Sequence, residues 1–215
     1  MTITHLILDV DDTLYSPSTG LFTATKQRAM DFIVDSQKLT IEQAVEKSAH
    51  YFKNYGSILT GLLTEEKIDP DEFIKFVFSI RVEEYVSPDP KLHQLLQSIC
   101  NIKRILFSDS PRPYIERLLS ILGIKDDIDG IYDRLFLNYL SKASPESFRI
   151  VLNDLNVGGG SCLMVDDSPK NLALAKDFQI NTVLISDIQD EKEYPFVDHR
   201  ISVIYQIGEI ISSYI

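Results

Sequence analysis

Leu6-Ile7-Leu8-Asp9-Val10-Asp11-Asp12-Thr13 and Cys162-Leu163-Met164-Val165-Asp166-Asp167 decide the fold. Each is a short apolar run that ends in carboxylates. An uninterrupted apolar run of this length reads as a buried strand of a parallel sheet. Both acidic clusters should therefore lie where a strand leaves the core, in the crevice where open α/β sheets bind ligands. Carboxylates gathered in one crevice repel one another unless a cation neutralises them. A hard divalent ion with oxygen ligands, Mg2+ above all, suits such a place, so the pattern predicts a magnesium site built across two strands.

Working outward, residues 17–86 carry no strong strand signal and read as helices. Leu21, Phe22, Met30, Phe32 and Ile33 mark one apolar stripe, and Phe73, Ile74, Phe76, Val77 and Ile80 mark another. Ser87-Pro88-Asp89-Pro90 breaks the helical pattern and returns the chain to the sheet. A helix then follows at Leu92, Leu95 and Leu96, and a strand at Ile105-Leu106-Phe107. The rest alternates helix and strand, as a parallel sheet wrapped by helices requires. Helices are expected at Pro113 to Leu122, from Ser144-Pro145 to Leu155, from Ser168-Pro169 through Phe178, and from about Ser202 to Tyr214; Thr182 to Ile185 supplies a further strand. Gly158-Gly159-Gly160 precedes a strand and reads as a turn.

A chain of 215 residues holds one large α/β domain, or a core with a smaller insertion. Its net charge of -11 opposes binding to a nucleic acid polymer or an anionic membrane. With neither a signal-peptide pattern nor a long apolar run, the expected location is cytoplasmic. Cys100 and Cys162 read as two buried free thiols.

The chemistry follows from side-chain types at the strand ends. Asp9 and Asp11, two apart in a turn, can face one phosphoryl group. One carboxylate can then attack phosphorus while its neighbour protonates the leaving oxygen and later deprotonates water. Ser108, directly after a strand, offers a hydroxyl and a backbone N–H to a phosphate oxygen. Lys142, just ahead of a helix, can balance the charge of both nucleophile and phosphoryl group. Asp166-Asp167, with Ser168 and Asn171, closes the metal site.

Taken in order, Asp9-x-Asp11-x-Thr13, strand-Ser108, Lys142-x-x-Pro145 and Val165-Asp166-Asp167-x-x-x-Asn171 resemble the four motifs of the haloacid dehalogenase superfamily. The resemblance implies a Rossmann-like core of residues 1–16 and 87–215, with a helical cap at 17–86. It makes Asp9 the nucleophile, Asp11 the general acid and base, Ser108 the phosphate ligand and Lys142 the charge-balancing cation. Asp9, the Asp11 main-chain carbonyl, Asp166 and Asp167 bind Mg2+ in that scheme. A finer likeness, carried by Asp11 to Tyr15, Tyr51 to Gly56 and Pro88-Asp89-Pro90, is to the pyrimidine 5'-nucleotidase branch. Two positions depart from it: Asp109 stands where asparagine is usual, and Ala143 where proline is usual. The added charge of Asp109 is expected to weaken or redirect phosphate binding.

The expected activity is therefore Mg2+-dependent hydrolysis of a small phosphorylated metabolite through an aspartyl-phosphate, with a pyrimidine nucleoside 5'-monophosphate favoured. Lys53, Asn54 and Tyr55 offer a stacking face and hydrogen-bond donors for a base. Competing readings are a phosphatase or phosphomutase acting on a sugar phosphate or another small phosphometabolite, and a phosphate- and metal-binding switch protein. Carbon-attacking dehalogenases lack the second aspartate of the first motif, so Asp11 argues against that chemistry.

Overall fold

The computed structural model describes residues 2–186 and 193–214. Its spine is a six-stranded, all-parallel sheet of β1 (His5–Leu8), β2 (Lys103–Phe107), β3 (Gly130–Tyr132), β4 (Cys162–Asp166), β5 (Asn181–Ile185) and β6 (His199–Ile201). The spatial order is β3-β2-β1-β4-β5-β6. Strand order reverses between β1 and β4, whose carboxyl ends carry the two acidic clusters; this switch point is the crevice that the apolar runs predicted.

Both faces of the sheet are covered, which is why its central strands are apolar without alternation. Leu6, Leu8, Leu106, Leu163 and Val165 pack on one face with α5 (Pro90–Ser98), α6 (Arg112–Leu122) and the short α9 (Ile207–Ser212). Ile7, Ile105, Phe107 and Met164 pack on the other with α7 (Pro145–Leu155) and α8 (Pro169–Asp177). Proline opens α5, α7 and α8, where its missing N–H costs nothing. Between β1 and β2 lie α1 (Leu21–Gln37), α2 (Ile41–Tyr55), α3 (Ile58–Glu65) and α4 (Pro70–Phe78). A capping box of Thr40 and Gln43 fixes the start of α2. These helices enclose a cluster of their own around Phe32, Ile33, Tyr51, Leu62, Phe73 and Val77.

Several expectations need correction. β3 and β6 were not anticipated. The last helix is confined to Ile207–Ser212, after a 3-10 turn at Ile204–Gln206. Leu21, Ile80, Val82 and Val86, placed with the insertion by sequence, pack instead against the sheet. Cys162 is buried as expected, but Cys100 is exposed, because it falls in the turn after α5. Ser168 occupies the N-cap position of α8 without a side-chain cap bond; its N–H donates to Asp166 Oδ1 at 2.8 Å instead. Among the described residues, no helix is long and apolar enough to cross a membrane.

Candidate active site

Asp9 leaves β1 with its N–H donating to the Val165 carbonyl at 3.0 Å, so the sheet ladder continues to the first carboxylate. The chain then turns sharply, with Asp12 in the left-handed region (φ 54°) and the N–H groups of Thr13 and Leu14 both directed at the Val10 carbonyl. Asp12 tolerates this conformation better than most residues would.

Lys142 sits at the centre of the site, 2% exposed. Its Nζ lies 2.6 Å from Asp9 Oδ1 and 2.5 Å from Asp166 Oδ2. Burial opposes its charge, but the Asp166 and Asp9 carboxylates outweigh burial and hold the ammonium above the usual lysine range. Burial likewise pushes the Asp9 carboxyl well up, and Asp166, Asp167 and Asp11 add to this against the pull of Lys142. Asp166 is fully engaged, accepting from Ser168 N–H, Asn171 Nδ2 and Lys142. Asp167 accepts no hydrogen bond from any described residue; burial, then the neighbouring Asp166 charge, push it up to about 6.

One carboxylate oxygen from each of Asp9, Asp166 and Asp167 lies within 4.8 Å of the others. Three oxygen donors, two of them under evident repulsion, are the donor set that a hard cation takes. The residues thus fit Mg2+.

Asp11 faces a different environment. Its Oδ1 accepts from the hydroxyls of Tyr15 (2.6 Å) and Tyr114 (3.0 Å), and its Oδ2 from the Ser110 hydroxyl (2.5 Å). Tyr15, Tyr114 and Ser110 were not identified from sequence; only Tyr15, one helical turn beyond Asp11, carried a local signal. Ser108 is buried at the end of β2, but its N–H extends the sheet to the Tyr132 carbonyl. That removes the backbone donor expected for phosphate and leaves the hydroxyl, whose oxygen accepts from Ser110 N–H.

Asp109 is not the uncompensated charge that the sequence suggested. Arg134, 4% exposed and unforeseen, pairs with it at 2.7 Å, and Asp109 also accepts from the Lys142 N–H at 2.8 Å. The same guanidinium donates to Ser57 and Thr60 at the start of α3. Beside it, Gly56 ends α2 with φ 76°, and a side chain there would lie 2.9 Å from the Ala143 Cβ. The small residue at 143 matches this close approach.

These groups line one cavity of about 650 Å³ between the sheet and α1–α4. Asp9, Asp11, Ser108, Asp109, Lys142 and Asp167 form its floor. Lys53, Asn54 and Tyr55 do not reach it. Lys53 and Asn54 are exposed, and Asn54 turns back to His50 while the Tyr55 hydroxyl donates to Glu65. The helical phase of α2 brings Phe52 and Gly56 to the cavity instead.

The chain is similar to known proteins in sequence and in fold. "Phosphate metabolism protein 8" of Saccharomyces cerevisiae (strain ATCC 204508 / S288c) is 28% identical over 204 residues, covering 86% of this chain and 63% of that protein. The chain thus spans less than two thirds of that relative. Its fold is similar to CbbY from Rhodobacter sphaeroides in complex with phosphate (TM-score 0.68, 16% identity, 96% and 97% of the two chains). It is also similar to an HAD phosphatase from Thermococcus onnurineus (0.64, 19%, 98% of each). L-2-haloacid dehalogenase from Xanthobacter autotrophicus, with chloropropionic acid covalently bound, matches at 0.66 and 12% over the whole of both chains. With its motifs gathered in one crevice and residues 3–179 matched by the family model, the chain belongs to the haloacid dehalogenase-like hydrolase family.

Proposed function

We propose that the protein is a Mg2+-dependent phosphomonoesterase that works through a phosphorylated Asp9, with residues 17–86 acting as a cap over a core of 1–16 and 87–215. The observation that carries this reading is the buried Lys142 between Asp9 and Asp166, with Asp11 beside them in the same cavity. In the first step an Asp9 oxygen attacks phosphorus, the bond to the departing alcohol breaks, and the Asp11 carboxyl gives that oxygen its proton. In the second, water attacks phosphorus, Asp11 takes its proton, and the bond to Asp9 breaks with release of phosphate. Asp9, Asp166 and Asp167, with the Asp11 carbonyl, would hold Mg2+, whose charge neutralises the phosphoryl oxygens. Asp11 exchanges one of its hydroxyl partners for the leaving oxygen, and Lys142 pulls Asp9 toward its ionised form against burial and the neighbouring carboxylates.

The presence of Asp11 favours phosphoryl transfer over attack on carbon, which has no leaving alkoxide to protonate. The substrate we favour is a pyrimidine nucleoside 5'-monophosphate, and the location cytoplasmic. The test is phosphate release from UMP, CMP, AMP, GMP, a sugar phosphate and a phosphorylated vitamin, with mass spectrometry of acid-quenched enzyme for a phosphoryl group on the Asp9 peptide. No turnover on any of them would reject the phosphatase reading. A purine preference would reject only the pyrimidine assignment.

A further inference from the structure

The floor and the roof of the cavity differ in kind. Above the charged floor, α1 and α4 contribute Phe22, Ala29, Phe73, Val77 and Phe78, and α2 contributes Phe52. Of the cap side chains that line the cavity, Thr25, Lys26 and Ser57 carry polar atoms. The Thr25 hydroxyl already donates to the Leu21 and Phe22 carbonyls, and the Ser57 hydroxyl is engaged by Arg134 and Thr60. Lys26 lies over the Phe22 ring at 3.9 Å. The volume suits the body of a small organic molecule, but apart from Lys26 and, on the core side, Ser168, Lys170 and Asn171, the wall offers such a body little side-chain hydrogen bonding.

From this contrast we infer that the alcohol released by the enzyme carries an aromatic or alkyl body with few hydroxyl groups. The inference rests on the phosphomonoesterase reading and names its substrate class. A hydroxyl carried against the aromatic wall leaves water without a replacement partner, and each such loss lowers affinity by roughly a factor of ten. A flat or alkyl body gains by displacing water from Phe22, Phe73 and Phe78. Sugar phosphates, with several hydroxyls, are thus disfavoured. Within nucleotides, the ribose 2'-hydroxyl is a burden, so the 2'-deoxy form is the better substrate.

Two substrate pairs test this, each matched in leaving-group type. With the Mg2+-loaded full chain, kcat/KM for 2-phenylethyl phosphate should exceed that for glucose 6-phosphate by at least about tenfold, and 2'-deoxyuridine 5'-monophosphate should exceed UMP several-fold. Phe52→Ser alters a residue 45% exposed, outside the cap's own cluster, and should shrink the first ratio. Equal or faster turnover of the hydroxylated member of either pair overturns the inference while leaving the phosphatase intact. Absence of all turnover instead rejects the phosphatase. Calorimetry with Asp9→Asn protein and the first pair then decides the binding preference alone: tighter binding of 2-phenylethyl phosphate supports the inference, and equal, weaker or no binding overturns it.

Discussion

Arg134 grips Asp109 at two points: Nη2 lies 2.7 Å from the Asp109 carboxylate, and Nε donates to the Asp109 carbonyl at 2.8 Å. Because Asp109 also receives the Lys142 N–H, and Arg134 also holds Ser57 and Thr60, one ion pair joins the Lys142 loop to the first turn of α3. Arg134→Gln should lower stability by about 1–3 kcal/mol, less than a fully buried pair because Asp109 is part-exposed, and should raise KM. Adding Asp109→Asn should recover part of the lost affinity, since it removes the charge left facing phosphate. Thermal melts and KM values for the two single variants and the double check this. Additive effects would mean that the residues act independently.

Asp9→Asn should abolish phosphate release while keeping the fold, because an amide of the same size is a poor nucleophile. Asp11→Asn retains an oxygen for the Tyr15 and Tyr114 hydroxyls, so it too should fold. Its rate loss should be smaller for an aryl than for an alkyl phosphate, since a good leaving group needs less protonation. Equal losses on the two would count against the acid role.

Chelation should stop turnover and Mg2+ should restore it, whereas Ca2+ should inhibit, as it favours more ligands and looser geometry. The metal-free protein has a pH signature as well. The Asp167 carboxyl titrates near 6 when folded, against 3.8 for the free side chain. A raised carboxylate pKa makes folding less favourable once the unfolded chain ionises first. The Asp167 contribution to stability should therefore fall as pH rises from about 4 to 6, by at most about 3 kcal/mol, and stay lower above that. Melting temperatures of chelated protein across this range measure the drop. Mg2+ should flatten it and Asp167→Asn should shrink it, leaving the part due to the raised Asp9; a chelated wild type with no drop, or a variant with an unchanged one, contradicts the assignment.

The two thiols should separate cleanly. Burial pushes Cys162 up to about 11, while Cys100 is exposed. A neutral alkylating reagent at pH 8 should label Cys100 alone in native protein and both residues in denaturant, read by peptide mass. Rapid native labelling of Cys162 would show that β4 opens readily.

The legible parts of this molecule are those with a local signature. β1 and β4 are continuous apolar runs, and Ser144-Pro145 and Pro90 punctuate helix starts. The acidic clusters fall at the carboxyl ends of strands because the runs stop there. β3 and β6, three residues each, are too short to show a period. Arg134 was hidden for another reason: Asp109, Ser57 and Thr60 lie 25, 77 and 74 residues away along the chain. The hydroxyl cage of Asp11 is similarly non-local, since Tyr114 comes 103 residues later. Composition singled out Lys53, Asn54 and Tyr55 as cavity residues, but composition carries no helical phase. At 100° per residue, their neighbours Phe52 and Gly56 are the ones that turn inward.

β1 stands in the middle of the sheet, yet of its six strands it is the earliest in the chain. Its register partners, Lys103 for β2 and Cys162 for β4, arrive only after the whole helical insertion and most of the remaining chain. Closing loops of that length costs conformational entropy before any ladder bond repays it. The insertion, by contrast, closes on itself within residues 21–78, through contacts of α1 with α2 and α4 and of α2 with α3. High contact order should make docking of the nucleophile strand late and slow. Until then Leu6-Ile7-Leu8 remains an apolar strand with two open edges, so during synthesis and refolding this chain is most prone to aggregate through the segment that later carries its catalytic aspartate.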